Sequence, residues 1–461
     1  MARAPATPTR PARRRSGDGR DGGGPTHTLA GGPSGCRIIV EENHDLPLVR
    51  LSYTLLTGGA SDPAGREGLA FFATELACRG AGGRSREEID ETLEALGADL
   101  AVSADADSIT FDVEVLSRNL EPALDVLCDV LLRPDLREDE ADKLRREMHA
   151  ALDDLRDEDG QLARRFFGRH LYGAHPYGRP LGGTAESIER LTVAEARRFL
   201  ERMVFGANLI VGAAGDVDER LLRERLARRL SVLRRDGEPS APLPPLRVPR
   251  GLDVLVVDKP ERTQSQLLLG QPAVRRTEPD YLPLVVATTA FGGTFTARLM
   301  TEVRVKRGLS YGASCRVGQG RGAKAVAMAM APQLSQTAET LALVLDLWKD
   351  FVEGGLRDEE VEFAKEHLAA SFAFQVTTPE DRVDLRIGVE VCGLPADFLA
   401  TLVPHIRAVT PAMVRGAMKR VLRPGDLAVT LVATASEVVP QLEKAKLVRK
   451  GAVKVVGFES Y

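Results

Sequence analysis

The chain has 461 residues, of which 43% are hydrophobic and 28% are charged, and its formal net charge is -4. This length exceeds a single hydrophobic core and predicts two to four domains, and the composition is typical of a folded globular protein. No run of eighteen apolar residues occurs, which argues against a membrane-spanning helix, and the weak net charge gives no reason to expect a nucleic-acid partner.

The first 25 residues are rich in Arg, Pro and Gly, and three arginines stand at 13–15. The apolar stretch that a secretion signal needs does not follow these charges. We therefore expect residues 1–27 to form a disordered basic arm. The five cysteines are widely spaced without a C-x-x-C pair, and their odd number argues against a disulfide framework. Free thiols are typical of a reducing compartment, so we expect a cytoplasmic protein.

The N-terminal half carries alternating signals for helices and strands. Apolar spacing, capping patterns and Gly stops predict, in chain order, a helix over 65–76, a helix that begins after Ser85, a strand over 109–115, helices near 124–131 and from 135, a helix over 192–204 and a strand from Leu209.

The C-terminal half repeats the later part of this order. It contains a predicted strand over 325–330, helices near 344–351 and from 355, a helix that begins at Thr410 and a strand from Leu427. Thr410 and Leu427 lie 218 residues after Thr192 and Leu209, and the preceding helices correspond at an offset of 220. Agreement between two independent registers indicates a duplicated unit.

The duplication predicts an α+β fold with two homologous domains, each a mostly antiparallel sheet with helices packed on one face. We place the N-terminal domain at 28–236 and the C-terminal domain at 250–461. Between them, residues 237–249 are dominated by Pro and charge and predict a semi-rigid extended linker.

The helix over 65–76, its stop at Gly80, Gly82 and Gly83, the two-domain repeat and the segment His-Pro-Tyr-Gly-Arg-Pro-Leu-Gly at 175–182 together resemble the insulinase/pitrilysin family of inverted zincins. The resemblance extends from about Cys36 to Glu443. Active members of that family carry H-x-x-E-H on this helix, where two His bind zinc and the Glu activates water, and a Glu further along the chain is the third ligand.

In this chain the three functional positions of H-x-x-E-H read Phe71, Thr74 and Glu75, so both histidines and the general base are missing. The resemblance places the third ligand at Glu147, which is retained. Two carboxylates without imidazole or thiolate do not make a zinc site, so we expect no metal in this chain. We also expect Phe71 and its neighbour Phe72 to fill core space.

Three histidines could in principle supply displaced ligands: His149, His170 and His175. Glu147 and His149 are two residues apart on a helix and therefore face different directions. His170 and His175 flank a Tyr-Gly turn that is similar to a family loop. We expect all three to be structural.

The family also supplies an Arg and a Tyr, seven residues apart, that reach across a chamber to the facing zinc site. Arg304 and Tyr311 stand at this spacing, after a predicted helix that ends near Lys306 and is capped by Gly308. A guanidinium and a phenol can both donate to a developing oxyanion. The resemblance therefore implies that these two residues bind substrate.

The segment Gly-Leu-Ser-Tyr-Gly at 308–312 matches the G-x-S-x-G nucleophile elbow of α/β-hydrolases. That motif requires a strand before the Ser and a helix after it, whereas a helix is predicted before Ser310 and a strand after it. A serine hydrolase is therefore a poor alternative.

Loss of the metal ligands together with retention of the Arg/Tyr pair resembles one subunit of heterodimeric bacterial zinc peptidases. The resemblance implies a noncatalytic peptidase subunit, inactive alone, whose H-x-x-E-H partner holds the zinc and cleaves peptides in a shared chamber. The alternative is a zinc-free structural or assembly scaffold of the same fold.

Overall fold

The computed structural model of the protein describes residues 27–29, 31–238 and 240–460. The arm predicted at 1–27 lies outside these residues, apart from His27, with which the first strand begins. Across the described ranges, no helix is both long and apolar enough to cross a membrane. Below, residues up to 236 are called the N-terminal half, and residues from 250 onwards the C-terminal half.

Strands and helices alternate along both halves. The strands are β1 (His27–Leu29), β2 (Arg37–Glu42), β3 (Leu48–Leu55), β4 (Gly80–Ala81), β5 (Arg84–Ser85), β6 (Asp99–Ala104), β7 (Ile109–Leu116), β8 (Leu209–Gly215), β9 (Leu252–Asp258), β10 (Gln266–Pro272), β11 (Ser310–Val317), β12 (Ala325–Pro332), β13 (Leu427–Ala433) and β14 (Lys454–Gly457).

The α-helices are α1 (Leu69–Ala77), α2 (Arg86–Leu96), α3 (Leu120–Leu132), α4 (Glu138–Asp157), α5 (Asp159–Tyr172), α6 (Ala185–Arg190), α7 (Val193–Met203), α8 (Glu219–Leu230), α9 (Tyr281–Thr288), α10 (Arg298–Met300), α11 (Thr337–Gly354), α12 (Asp358–Phe372), α13 (Pro379–Cys392), α14 (Phe398–Ala408), α15 (Pro411–Val421) and α16 (Ala435–Lys444).

Each half contains one six-stranded sheet. The order in the N-terminal half is β1-β2-β8-β3-β7-β6, and the order in the C-terminal half is β11-β12-β10-β13-β9-β14. Only β2–β8, β9–β13 and β9–β14 pair in parallel; the other pairs within these two sheets are antiparallel. The antiparallel run β8-β3-β7-β6 of the N-terminal sheet corresponds strand by strand to the run β13-β10-β12-β11 of the C-terminal sheet. The predicted α+β fold with two similar sheets is confirmed.

The duplicated elements begin with similar caps. Thr192 accepts a hydrogen bond from the backbone of Glu195 at the start of α7, and Thr410 accepts one from Met413 at the start of α15. Such caps satisfy backbone N–H groups that the first helical turn leaves without partners. In both halves the capped helix leads directly into a fully buried strand, β8 or β13. The local sequence therefore sets where α7 and α15 begin, each ahead of its buried strand.

The second face of each sheet is covered by a helix from the other half. Helix α5 of the N-terminal half packs on β10 and β13, and α13 of the C-terminal half packs on β2 and β8. Val383 and Ile387 of α13 form an apolar cluster with Ile39 and Ile210. The resemblance predicts helices on one face of each sheet, and this exchange adds a helix on the opposite face.

Two glycines allow the exchanged helices to approach the sheets. A Cβ at Gly212 in β8 would lie 2.9 Å from side-chain carbons of both Val383 and Ile387. A Cβ at Gly270 in β10 would lie 3.2 Å from the ring of Phe167 on α5 and 2.3 Å from the carbonyl oxygen of Val326. Any larger residue at either position would push a helix away from its sheet.

Candidate functional site

Helix α1, which carries the positions of the lost zinc motif, is fixed at its N-terminus by Asp62. The Asp62 carboxylate accepts hydrogen bonds from the backbone N–H groups of Gly68 and Ala70, both at 2.9 Å. Gly68 has φ +91°, a conformation that favours glycine. Burial raises the pKa of Asp62 to about 7, against the opposing effect of these hydrogen bonds and of Arg179. The first turn of α1 is thereby held rigidly.

The three motif positions on α1 offer no metal ligand set. Phe71 is half-buried, whereas Phe72 is fully buried in the core, so only the second of the two phenylalanines is a core residue in the full sense. The Thr74 hydroxyl is buried and donates within its own helix, to the carbonyl oxygens of Ala70 at 2.7 Å and Phe71 at 3.1 Å. Thr74 is therefore committed to the backbone of α1.

Glu147, the retained carboxylate, is bound by a guanidinium that sequence reasoning missed. Arg79 donates from Nη1 to Glu147 Oε1 at 3.0 Å and from Nη2 to Glu147 Oε2. Arg79 lies one helical turn beyond Glu75 and is only 7% exposed, whereas the side chain of Glu147 is 53% exposed. The sequence signal that could have indicated this pair is an Arg directly after the motif helix. In the structure this Arg contacts Glu147 on α4.

The pKa values of the two carboxylates near Arg79 are shifted in opposite directions. The hydrogen bonds from Arg79 lower the pKa of Glu147. Burial raises the pKa of Glu75, the neighbouring Arg79 lowers it, and Glu147 raises it. Glu75 and Glu147 therefore belong to a cluster of charged side chains around Arg79.

A zinc ion does not fit these residues. The positions supply a phenyl ring, a hydroxyl bound to its own helix, and two carboxylates of which one is paired with Arg79, but no imidazole or thiolate. Within the described part of the chain, no group of three or more His, Cys, Asp or Glu side chains is placed to hold a metal ion.

The three histidines considered as displaced ligands are engaged at separate places. His149 Nε2 lies 2.8 Å from Glu189. His170 contacts Thr430 at 3.0 Å and Asp253 at 3.2 Å, both in the C-terminal half. His175 accepts from the N–H of Tyr177 and contacts the carbonyl oxygen of Pro244 at 2.9 Å. None of them joins another histidine or Glu147 in a group of three or more potential metal ligands within the described residues.

Arg304 and Tyr311 lie together on the surface of the C-terminal half. The Cζ atom of Arg304 is 4.4 Å from the centroid of the Tyr311 ring and 5.7 Å from that of Phe295. Tyr311 is 85% exposed and Phe295 is 74% exposed. A guanidinium within about 6 Å of a ring face is attracted by its quadrupole. The family resemblance pointed to Arg304 and Tyr311, but it did not point to Phe295.

The turn that carries Arg304 differs from the predicted regular helix. After the single turn of α10, the chain forms a π-helical turn at Thr301–Val305, and Gly308 follows with φ +63° as the predicted glycine stop. π-helical turns are rare in proteins, and those that occur are often found at functional sites. Lys306 and Arg307 both pair with Glu302. Within the described residues Arg304 forms neither an ion pair nor a side-chain hydrogen bond, so its N–H groups are free to bind a ligand.

Ser310 has a structural role beside this pair. Its buried hydroxyl donates to the carbonyl oxygen of Gly312 at 2.7 Å and accepts from the N–H of Ala331 at 3.0 Å. These bonds lie where the β11–β12 register shifts between Ser310 and Ala313. A helical turn precedes Ser310 and a strand follows it, the reverse of a nucleophile elbow. The segment at 308–312 is therefore not a nucleophile elbow.

Comparison with known families decides the ancestry of the fold. Residues 37–185 match the family model described as "Insulinase (Peptidase family M16)", and residues 190–368 match "Peptidase M16 inactive domain". Together these matches span more than half of the chain. The protein belongs to the M16 insulinase family.

Relatives of this M16 protein carry different descriptions. It is 27% identical to an uncharacterised zinc protease of Streptomyces coelicolor, over 85% of this chain and 86% of that one. It is 24% identical to a protein of Helicobacter pylori named as a non-peptidase homolog, over 86% of this chain and 91% of that one.

Solved structures share the fold of this M16 protein. A crystal structure of a peptidase M16 inactive domain from Pseudomonas fluorescens superposes with a TM-score of 0.81 at 24% identity, over 88% of this chain and 97% of that one. A chain of complex III2 from Candida albicans gives a TM-score of 0.74 at 13% identity, over 92% and 99% respectively. At these identities the likeness shows the fold alone.

Proposed function

We propose that this M16 protein is the noncatalytic subunit of a heterodimeric zinc metallopeptidase, in which Arg304 and Tyr311 bind peptide at the zinc site of an H-x-x-E-H partner. The observation that carries the proposal is a half-buried arginine, unpaired within the described residues, whose guanidinium lies against an exposed tyrosine on a turn where Lys306 and Arg307 are ion-paired.

The two side chains fit the chemistry of amide hydrolysis. When water attacks a peptide carbonyl, negative charge develops on the carbonyl oxygen, and preorganised donors stabilise it. Arg304 offers a charged planar fork of N–H groups, and Tyr311 offers an O–H group from the same surface. The partner's zinc would activate the water, while this subunit would orient and polarise the peptide.

The lost zinc motif of the N-terminal half supports the proposal that the metal site and the Arg/Tyr pair lie on two different chains. Among the described residues, Glu147 is paired with Arg79, the motif positions Phe71, Thr74 and Glu75 supply no imidazole, and no group of three or more potential metal ligands is found. A relative named as a non-peptidase homolog supports the loss of independent activity, and others are named as zinc proteases. The expected partners are therefore a homologous zinc-binding subunit and an extended peptide.

The alternative is a zinc-free assembly scaffold of the same fold. It shares the absence of metal ligands with the proposal, and it predicts no catalytic effect from Arg304 or Tyr311. The two functions therefore differ in one measurable respect, which is whether these side chains affect turnover.

The test is peptide cleavage by the chain co-purified with an H-x-x-E-H homologue encoded in the same genome. Arg304→Ala should lower kcat on the order of a hundredfold, the usual effect of losing one oxyanion donor. Tyr311→Phe keeps the ring against Arg304 and removes only the hydroxyl, so it isolates the O–H donor. Arg304→Lys should also be impaired, because an ammonium does not reproduce the planar fork.

The matched control is Arg307→Ala, which removes an exposed arginine three residues away that is already paired with Glu302. It should retain activity. Size-exclusion chromatography of each mixture should show unchanged assembly. Full activity of both Arg304→Ala and Tyr311→Phe would refute the proposed role and leave the scaffold as the better function.

A further inference from the structure

Phe295 is a large apolar side chain that the fold leaves outside its core. It is 74% exposed, although the chain is buried four residues before it, at Phe291, and two residues after it, at Ala297. Upstream, Phe291 stacks on Phe351 with ring centroids 4.3 Å apart, and downstream Ala297 and Leu299 are buried. Because the chain is anchored in the core on both sides, the exposure of Phe295 is imposed by the backbone.

Polar contacts fix the segment that follows Phe295. The side chain of Arg298 donates to Glu360 at 2.8 Å and to the carbonyl oxygen of Gly355 at 3.3 Å. The backbone N–H of Thr301 donates to the carbonyl oxygen of Ala297 at 2.9 Å. These bonds tie the turn that presents Phe295 to helix α12 and to the π turn that carries Arg304. Phe295 and Arg304 are therefore carried by chain segments that these hydrogen bonds join to each other.

The exposed ring of Phe295 contacts the guanidinium of Arg304. The guanidinium carbon lies 5.7 Å from the Phe295 centroid and 4.4 Å from the Tyr311 centroid, so two rings from separate segments contact one cation. Stacking against ring faces leaves the N–H groups at the guanidinium edge available. No carboxylate among the described residues competes for them.

We propose that Phe295 is a positioning residue that, with Tyr311, restricts the guanidinium of Arg304 so that its edge donates to a planar oxygen acceptor of an extended peptide. This inference rests on the proposed function and adds a third residue to the site. Since long arginine side chains lose rotamer entropy on binding, prior restriction by two rings increases the strength of the bond to the peptide.

The first test uses the full chain alone and does not require a partner. The ¹⁵N relaxation of the Arg304 Nε–Hε group, assigned by its loss in Arg304→Lys, reports the order of the side chain. We expect Phe295→Leu to increase its mobility and Phe295→Tyr to preserve the wild-type order, because only an aromatic face attracts the cation. Phe374→Leu, a change at another exposed phenylalanine, is the control. Unchanged order in Phe295→Leu would overturn the inference.

The second test measures turnover of the assembled pair. Phe295→Leu should lower kcat about two- to fivefold, the effect expected from one exposed cation–π contact, and Phe295→Tyr should restore it. Weaker assembly with unchanged turnover would show that Phe295 contacts the partner instead, and would overturn the inference. If Arg304 becomes mobile in Phe295→Leu while Arg304→Ala remains fully active, the positioning contact stands and the proposed function fails.

Discussion

The Tyr177 hydroxyl donates a bifurcated hydrogen bond to both carboxylate oxygens of Asp107, at 2.8 and 2.9 Å, at the contact between the two halves. The same hydroxyl accepts from the N–H of Gly322 at 2.7 Å, and the N–H of Arg321 donates to Asp107 at 3.0 Å. Lys324 Nζ lies 3.2 Å from the centroid of the Tyr177 ring. Burial and the Asp107 carboxylate raise the pKa of Tyr177, so the phenol remains a donor.

Tyr177→Phe should therefore destabilise the whole chain by about 1–3 kcal/mol, because it removes one donor from the buried Asp107 carboxylate, which keeps the Arg321 N–H, and leaves the Gly322 N–H without its acceptor. The effect should appear as a lower urea midpoint, measured by circular dichroism. Tyr311→Phe is the matched control, since it removes the hydroxyl of an exposed tyrosine and should leave the midpoint unchanged. Equal midpoints for Tyr177→Phe and wild type would show that the halves are not tied at this point.

The exchange of α5 and α13 predicts that the halves depend on each other for stability. Ile387→Ala, in the helix that the C-terminal half places on the N-terminal sheet, should cost about 2–4 kcal/mol, since it opens a cavity against Ile39 and Ile210. Hydrogen exchange should then increase in strands β2 and β8, which belong to the other half. Leu221→Ala, at a partly exposed position on α8, serves as the control. Increased exchange confined to the C-terminal half would contradict this dependence.

The purified chain should contain no stoichiometric zinc and should not cleave unfolded peptides by itself. The reason is that Phe71, Thr74 and Glu75 provide no imidazole and that Glu147 is bound by Arg79. Elemental analysis after dialysis against zinc, together with a peptide-cleavage assay, measures both properties. One zinc per chain with activity that a chelator abolishes would contradict the site described above.

The Arg79–Glu147 pair predicts a stability difference that depends on pH. Because Arg79 lowers the pKa of Glu147 in the folded chain, the ionised carboxylate stabilises the fold above the ordinary Glu pKa of about 4.3. This stabilisation is lost as the pH falls through the lowered value. Glu147→Gln should therefore cost about 0.5–1 kcal/mol near neutral pH, a modest effect because Glu147 is 53% exposed and screened by solvent.

Urea unfolding at a series of pH values measures this effect. The difference between Glu147→Gln and wild type should decrease below about pH 4, where the wild-type carboxylate also becomes neutral. Added salt should reduce the difference at neutral pH. A difference that grows on acidification would show that the carboxylate is not stabilised by Arg79.

Local sequence signals predicted the elements of this fold because each depends on a few neighbouring residues. Capping residues such as Thr192 and Thr410 and the glycine stop at Gly308 act within one helical turn, so they are readable from the chain. The repeated spacing of these signals was sufficient to predict two similar sheets. The family resemblance identified Phe71, Thr74 and Glu75 as the positions of the zinc motif, and their side-chain chemistry then predicted that they do not form a zinc site.

The tertiary structure decided which distant residues meet. The pairing of Arg79 with Glu147, the contact of Phe295 with Arg304, and the packing of Ile387 on the N-terminal sheet join residues that no local periodicity relates. Glu302 pairs with Lys306 and Arg307, four and five residues away, and not with Arg304, which is only two residues away and faces another direction. The sequence by itself therefore determined the elements and the loss of the metal ligands, whereas three-dimensional packing determined the partners of every charged group at the site.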